Sequence, residues 1–402
     1  MTSEVVVMNQ RSVAVAADAA LSLVGQGRVV TRTGERKLFR LLPDHNVAAM
    51  FYGRADIAGH LWEHLFEAFA EAHRGAAFPT VRALADAFAS WLDGRREFFP
   101  LEAQRNTVRE HAGFALAYVV DVARRLLEGQ AVANEGQALA EAIRRILADL
   151  KRDDLPRLAC FPENFESEFV RTHGADIDEM LAKSFGKAGL PQELMARLRE
   201  IVLLSIVRDV FIEPSTGIVF AGFGRDERYP ADCVWHVSTV AGGIAKRRFM
   251  GETRIAPEQK SALNLYAQSE TTRTLLFGIA PDVEAAMIHL MLNAGFEIGR
   301  ETAAASDGAK REGLMKALPG LVNQKVLDAY QQLRIFIDQR HIDPLRGVIE
   351  VAQGEELIGI ARMLVELNGF KQRITGAAET VGGETAVALI TRDRFILRTG
   401  DA

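Results

Sequence analysis

Met1-Thr2-Ser3-Glu4-Val5-Val6-Val7-Met8 and, after Asn9-Gln10-Arg11, Ser12-Val13-Ala14-Val15-Ala16-Ala17-Asp18 form the stretch on which the reading of the chain turns. Residues 4–8 and 12–17 are short runs rich in apolar β-formers on either side of a tight turn, the pattern of a buried hairpin. A small hydroxyl residue follows the initiator methionine, which allows an aminopeptidase to leave Thr2 at the N-terminus. A free N-terminal threonine holds a nucleophile (Oγ) and a base (the α-amine) on one residue. The unperturbed pKa of that amine, about 7.7–8, suits a general base near neutral pH. Asp18 ends the apolar run as a carboxylate at the mouth of the hairpin.

Outward from the hairpin, Gly25-Gln26-Gly27 reads as a turn and 28–31 as a short strand. Lys37 opens a further strand whose Leu38, Phe39 and Leu41 are apolar, and 47–52 is a buried strand running into Gly53. A helix is expected over 56–73, with Ile57, Leu61, Leu65, Phe66 and Phe69 at helical spacing. From 78 to 212 the chain reads as helix after helix, clearest at 81–88, 114–127, 138–150 and 192–210. Strands return at 217–224 and 232–240. A second, largely helical stretch covers 282–353, and the segments 129–136 and 302–308 read as surface loops.

Hairpin, Asp18, the strand opened by Lys37, the apolar strand ending at Gly53 and the following helix together resemble the first third of a proteasome β-type subunit. Such subunits are threonine-type N-terminal-nucleophile (Ntn) hydrolases. The resemblance resumes at Gly217-Ile218-Val219-Phe220-Ala221-Gly222-Phe223-Gly224. It returns at Glu379-Thr380-Val381-Gly382-Gly383-Glu384-Thr385, which looks like the family's Gly-Gly turn and closing strand. It implies an α+β fold, the αββα four-layer Ntn-hydrolase sandwich with large helical insertions. The core is then 1–77, 213–281 and 354–402, with helical insertions at 78–212 and 282–353. Thr2 is the implied nucleophile. Lys37 lowers the pKa of its amine, Asp18 holds and offsets Lys37, and Gly53 offers its N–H to the oxyanion. Ser269 resembles the family's supporting serine and reads equally well as a helix N-cap. The chain departs from the family where Asp18-Ala19-Ala20 stands for Asp-Ser-Arg, and where Ala378-Glu379 replaces an aspartate before the Gly-Gly turn.

This chemistry requires neither cofactor nor metal, and it implies a peptide or small amide substrate. The resemblance also implies a homo-oligomer, with the insertions limiting access and ring stacking. Two other readings stay open: an Ntn amidase for a small molecule, and an inactive scaffold that binds partners through its helices. A formal charge of −5 over 402 residues leaves no basic surplus for nucleic acid. Without a leader or an apolar run near 18 residues, no membrane partner is expected and the default compartment is the cytoplasm. Cys160 and Cys233 stand far apart and read as buried thiols. His60 and His64 lie four apart on the expected helix but lack the His-Glu-x-x-His order of zinc peptidases, so a solvated face is expected. Gly242-Gly243-Ile244-Ala245-Lys246 lacks the Gly-Lys-Ser/Thr of a phosphate loop and reads as a strand turn.

Overall fold

The computed structural model describes residues 3–25, 28–33, 36–129, 132, 134–186, 190–267, 270–375 and 384–399, with the side chains of 20–25, 28–33 and 371–375 left aside. β1 (Ser3–Asn9) and β2 (Ser12–Asp18) form the expected antiparallel hairpin, with Met8 opposite Val13 and Glu4 opposite Ala17. Asn9 makes its turn: the side-chain oxygen accepts from the amides of Arg11 and Ser12 at 3.0 and 3.1 Å. Every residue of both strands is buried, which explains why they read as apolar runs rather than as an alternation.

The hairpin sits inside an antiparallel five-stranded sheet ordered β12 (Ser261–Ala267), β1, β2, β13 (Thr385–Thr391), β14 (Phe395–Arg398). A second antiparallel sheet runs β11 (Ile244–Arg254), β10 (Ala231–Ala241), β9 (Thr216–Phe223), β6 (Asn46–Gly53), β5 (Leu38–Arg40). Residue parity divides the core. Val6, Met8, Val13 and Val15 pack with Met50, Val219, Ala221 and Val234 of the second sheet. Their neighbours Val5, Val7, Ala14 and Ala16 turn the other way, onto Ile349 of α10 (Asp343–Val351) and Leu357, Ala361 and Val365 of α11 (Gly354–Thr375). The far face of the second sheet sends Phe51, Ile218 and Phe220 against Trp62 and Phe66 of α1 (Trp62–Ala72) and Leu84 and Phe88 of α2 (Val81–Trp91). Thr80 caps α2, its hydroxyl accepting from the Ala83 amide at 3.0 Å.

A separate apolar cluster unites α3 (Leu101–Glu128), α4 (Glu135–Leu150), α5 (Phe165–Phe185) and α6 (Gln192–Val207), and reaches the sheet through Ala241. After α7 (Glu270–Phe277), α8 (Pro281–Ala304) and α9 (Gly308–Ile337) form an antiparallel helical hairpin. A Cβ at Gly299 would lie 2.0 Å from Leu318, so glycine is what lets these two helices close. A π-helical turn, Asp338–Ile342, joins α9 to α10.

One expectation is corrected. The helix expected from 56 begins at Trp62, because β7 (Asp56–Ile57) and β8 (His60–Leu61) form a tiny hairpin first. Its turn takes Ala58 and Gly59 to positive φ, and the Gly59 amide donates to Asp56 Oδ2 at 3.1 Å. The strand expected at 28–31 is present as β4 (Arg28–Thr33), and it pairs with an unanticipated strand, β3 (Ala20–Gly25). Among the described residues no single helix is long and apolar enough to cross a membrane; α7 and α8 meet that measure only together, bent by 67°.

Candidate functional site

The end of β2 and the residue before β5 converge at the start of β1. Asp18 Oδ1 accepts from Lys37 Nζ at 3.0 Å and from the Ser3 amide at 3.1 Å. Both charged side chains are 1% exposed, and each offsets the other's charge in this buried setting. Ser3 is tied on its other side as well: its hydroxyl accepts from Asn368 Nδ2 of α11 at 2.7 Å. Asn368 Oδ1 accepts in turn from the Thr272 amide in α7 at 3.2 Å. The structure therefore brings Asp18 and Lys37 together and holds them to Ser3, the neighbour of Thr2. Thr2, Ser269, the Ala378-Glu379 pair and the Gly382-Gly383 turn lie outside the described residues.

Gly53 ends β6 opposite Thr216, with φ at +92°. A Cβ there would lie 2.2 Å from the carbonyl oxygen of Ser215, so both conformation and space demand glycine. Its neighbour Tyr52 shares a hydrogen bond with His236 Nε2 at 2.9 Å and stacks on Tyr266 with ring centroids 6.2 Å apart. Burial first, then Arg248, hold His236 below its ordinary value, which leaves a neutral ring able to accept that bond. Burial, with the nearby Glu4 adding to it, pushes the Tyr52 phenol up to about 12.

Sequence reasoning passed over Glu4. Strand parity puts it on the same face as Val6 and Met8, opposite Tyr266, and it is fully buried. Among the described residues neither carboxyl oxygen has a hydrogen-bond partner. Burial raises its pKa well above the carboxylate range; Lys37 opposes that rise and Asp18 reinforces it. The folded chain thus holds the Glu4 proton more tightly than the unfolded chain does. Stability from this group is present below the unfolded value and is lost as pH rises toward the folded one. Glu4→Gln should therefore match the parent near pH 4 and be more stable at pH 8, as read by urea unfolding at both pH values. Equal stability at pH 8 would show that Glu4 is ionised and paired.

A second buried cluster pins the helices to the second sheet. Lys246 of β11 donates to the carbonyls of Ser205 and Val210 at 2.9 and 2.5 Å, and lies 3.4 Å from Glu213. His111 of α3 lies 3.0 Å from Glu213 through Nδ1 and 2.8 Å from the Ser205 hydroxyl through Nε2. Burial works against the ionised Glu213, but His111 and Lys246 outweigh it and hold its pKa below the carboxylate range. Burial lowers His111, and Lys246 lowers it further against the pull of Glu213, so the imidazole is neutral at pH 7. A water-sized cavity of about 20 Å³ adjoins His111 and Glu213. Ser205 lies near the C-terminal end of α6, whose dipole disfavours a developing oxyanion, so this cluster reads as a structural pin.

The remaining motifs resolve simply. His60 lies on β8, edge-on to Phe98 and Phe99, so it shares no helix face with His64. Gly242 and Gly243, both at positive φ, form the turn between β10 and β11. Cys160 and Cys233 are free thiols, and burial pushes both above the ordinary value, which makes them poor nucleophiles. No protein-family model matches the chain, and no curated protein matches it either.

Proposed function

We propose that this chain is a proteasome-like Ntn hydrolase that cleaves amide bonds, peptide bonds foremost, with Thr2 as nucleophile once Met1 is removed. The observation that carries the reading is the buried Lys37–Asp18 ion pair bonded to the backbone amide of Ser3. Asp18 ties the pair to the residue after Thr2, and an ammonium close to an N-terminal amine lowers the pKa of that amine. The neutral amine then accepts the Thr2 hydroxyl proton as Oγ attacks the substrate carbonyl, and passes it to the leaving amine. The Gly53 N–H is the proposed donor to the tetrahedral oxyanion, and water resolves the acyl-enzyme. The two antiparallel sheets packed through one apolar layer, with helices against each outer face, suit the αββα sandwich of that class. Fold resemblance alone would not assign chemistry; the ion pair at the N-terminal strand is the specific support.

A second reading, a scaffold without catalysis, draws on the α8–α9 hairpin, which leaves Leu290, Ile298, Leu321 and Phe336 more than half exposed. Intact mass and a fluorogenic peptide series on the purified protein separate the two. The hydrolase reading expects loss of Met1, cleavage of short peptides, and no cleavage by a folded Thr2→Ala variant. Cleavage by protein that retains Met1 would sink the Thr2 mechanism. Retained Met1 without cleavage would favour the scaffold.

A further inference from the structure

α8 carries no Asp, Glu, Lys or Arg from Ala285 to Phe296, and only His289 and Asn293 interrupt its apolar residues there. A helix apolar nearly all round is suited to being covered on more than one face. α9 covers one of them: Gly295 and Gly299 bring the backbone of α8 onto Val322 and Leu318, and Ala303 is buried beyond them. The opposite face is bare. Val283, Met287, Leu290 and Ile298 are 40–65% exposed, and Ala286 and Ala294 beside them are exposed as well. Val283, Met287, Leu290 and Ala294 follow one another at intervals of four, three and four, the spacing of a seam that packs on another helix.

One flank of that seam is polar. Asp282, His289, Asn293 and Arg300 stand at i, i+7, i+11 and i+18, which places them on one side of the helix, and all four are exposed. The Asp282 carboxylate accepts from the Val283 amide at 2.9 Å. Among the described residues it has no basic partner, and Arg300 has no acidic one.

Read backwards, the flank runs Arg, Asn, His, Asp. A second α8 laid antiparallel and centred at Met291 therefore sets Asp282 of each copy against Arg300 of the other, and His289 against Asn293. Nearly the same centre sets Val283 against Ile298 and Met287 against Ala294, with Leu290 in the middle. A parallel copy would instead set Asp282 on Asp282 and Arg300 on Arg300, like charge on like. The seam and its flank run for about 36 Å and offer on the order of 800 Å² per copy, what one partner contributes to a stable interface. The tip of the second hairpin would reach the bend between α7 and α8, where Leu275 is exposed.

We propose that this chain forms a homodimer through α8, the two copies antiparallel about a twofold axis at Met291 and their hairpins closing as a four-helix bundle. A second copy fits this face because its own residues, met in reverse order, supply the complement of each group: apolar to apolar, acid to base. The pairing rests on neither reading of the function and holds for a hydrolase and a scaffold alike.

The test is sedimentation velocity on the full wild-type chain from about 0.1 to 100 μM, a range in which even micromolar association shows. The expected species is a dimer, and Leu290→Glu should leave a monomer with unchanged far-UV circular dichroism. Asp282→Arg and Arg300→Asp, checked in the same way, should each weaken self-association about tenfold or more, because each sets like charges across the seam twice per dimer. Mixed in equal amounts, these two variants should pair with one another at close to wild-type affinity, since together they restore opposite charges at both ends. A variant that had merely misfolded would gain nothing from the mixing. Wild-type protein that stays monomeric throughout the range overturns the proposal, as does a dimer that Leu290→Glu leaves intact. Mixed variants that associate no better than either alone overturn the antiparallel pairing. A monomer that binds phospholipid vesicles, and loses them on Leu290→Glu, also overturns it and gives the bare face to a lipid surface.

Discussion

Lys37→Met should cost roughly 3–5 kcal/mol of stability and abolish amide hydrolysis. The two losses have different origins, and a second substitution separates them. Asp18 loses the ammonium 3.0 Å away and remains 1% exposed, with the Ser3 amide among its bonds. An ionised carboxylate left in that setting is what destabilises, so protonation or removal of its charge should relieve most of the cost. Lys37→Met combined with Asp18→Asn should recover stability and leave activity absent, because hydrolysis needs the ammonium itself. Denaturant unfolding of the parent, both single variants and the double variant gives the coupling between the sites. A double variant as unstable as the sum of the singles would mean that the pair contributes through packing. A Lys37→Met protein that folds and still cleaves would remove Lys37 from the mechanism.

The second large effect is expected at the structural pin. Lys246→Met leaves Glu213 buried beside a neutral imidazole, a loss of about 3–5 kcal/mol if nothing compensates. His111 can compensate in part. In the parent its pKa is lowered, first by burial and then by Lys246. The unfolded chain therefore binds that proton more readily, and parent stability falls as pH drops below the ordinary histidine value. Removing Lys246 withdraws one depressing influence and leaves Glu213 3.0 Å from Nδ1, so the folded imidazole holds its proton more firmly. The variant's deficit should then be largest near pH 8 and shrink toward pH 6. Unfolding curves across that range check the sign. A deficit that grows on acidification would mean that His111 stays neutral and that Glu213 is served by other groups.

How far the sequence could be read depended on whether a feature is local. The β1–β2 hairpin was legible because both strands are buried throughout and their turn carries an Asn that bonds its own backbone. The second sheet's β6, β9 and β10 were legible as apolar runs, β9 buried throughout and the other two over most of their length. Asp18 and Lys37 were found because one ends an apolar run and the other opens one, which makes each a charge committed to the interior. Glu4 was within reach of the same argument and was missed, since it stands at the edge of its run and only strand parity shows which way it points.

Asn368 and the Lys246–Glu213–His111 cluster were beyond reach, because each joins elements distant in the chain. The start of α1 was misjudged because Ile57 and Leu61 fall at helical spacing although they belong to a two-strand hairpin. The first turns of α3 hid themselves differently: Glu102, Arg105 and Arg109 dilute the apolar period, and ion pairs to Asp176 from the two arginines hold that end of the helix.

The order of strands in the first sheet sets a timetable for biosynthesis. β1 pairs on one side with its own hairpin partner but on the other with β12, Ser3 standing against Ala267. β2 waits longer still, since Asp18 meets Thr385. At a translation rate of about 5–20 residues per second, these two strands emerge tens of seconds before either flank exists. Throughout that interval a hairpin that ends wholly buried has two open edges and no sheet to join. Its conversion to a central position requires closure of loops of hundreds of residues, which puts this sheet among the slow, non-local assemblies. A nascent chain arrested before residue 385 would keep the β2 edge open, and it is there that chaperone capture or aggregation should begin.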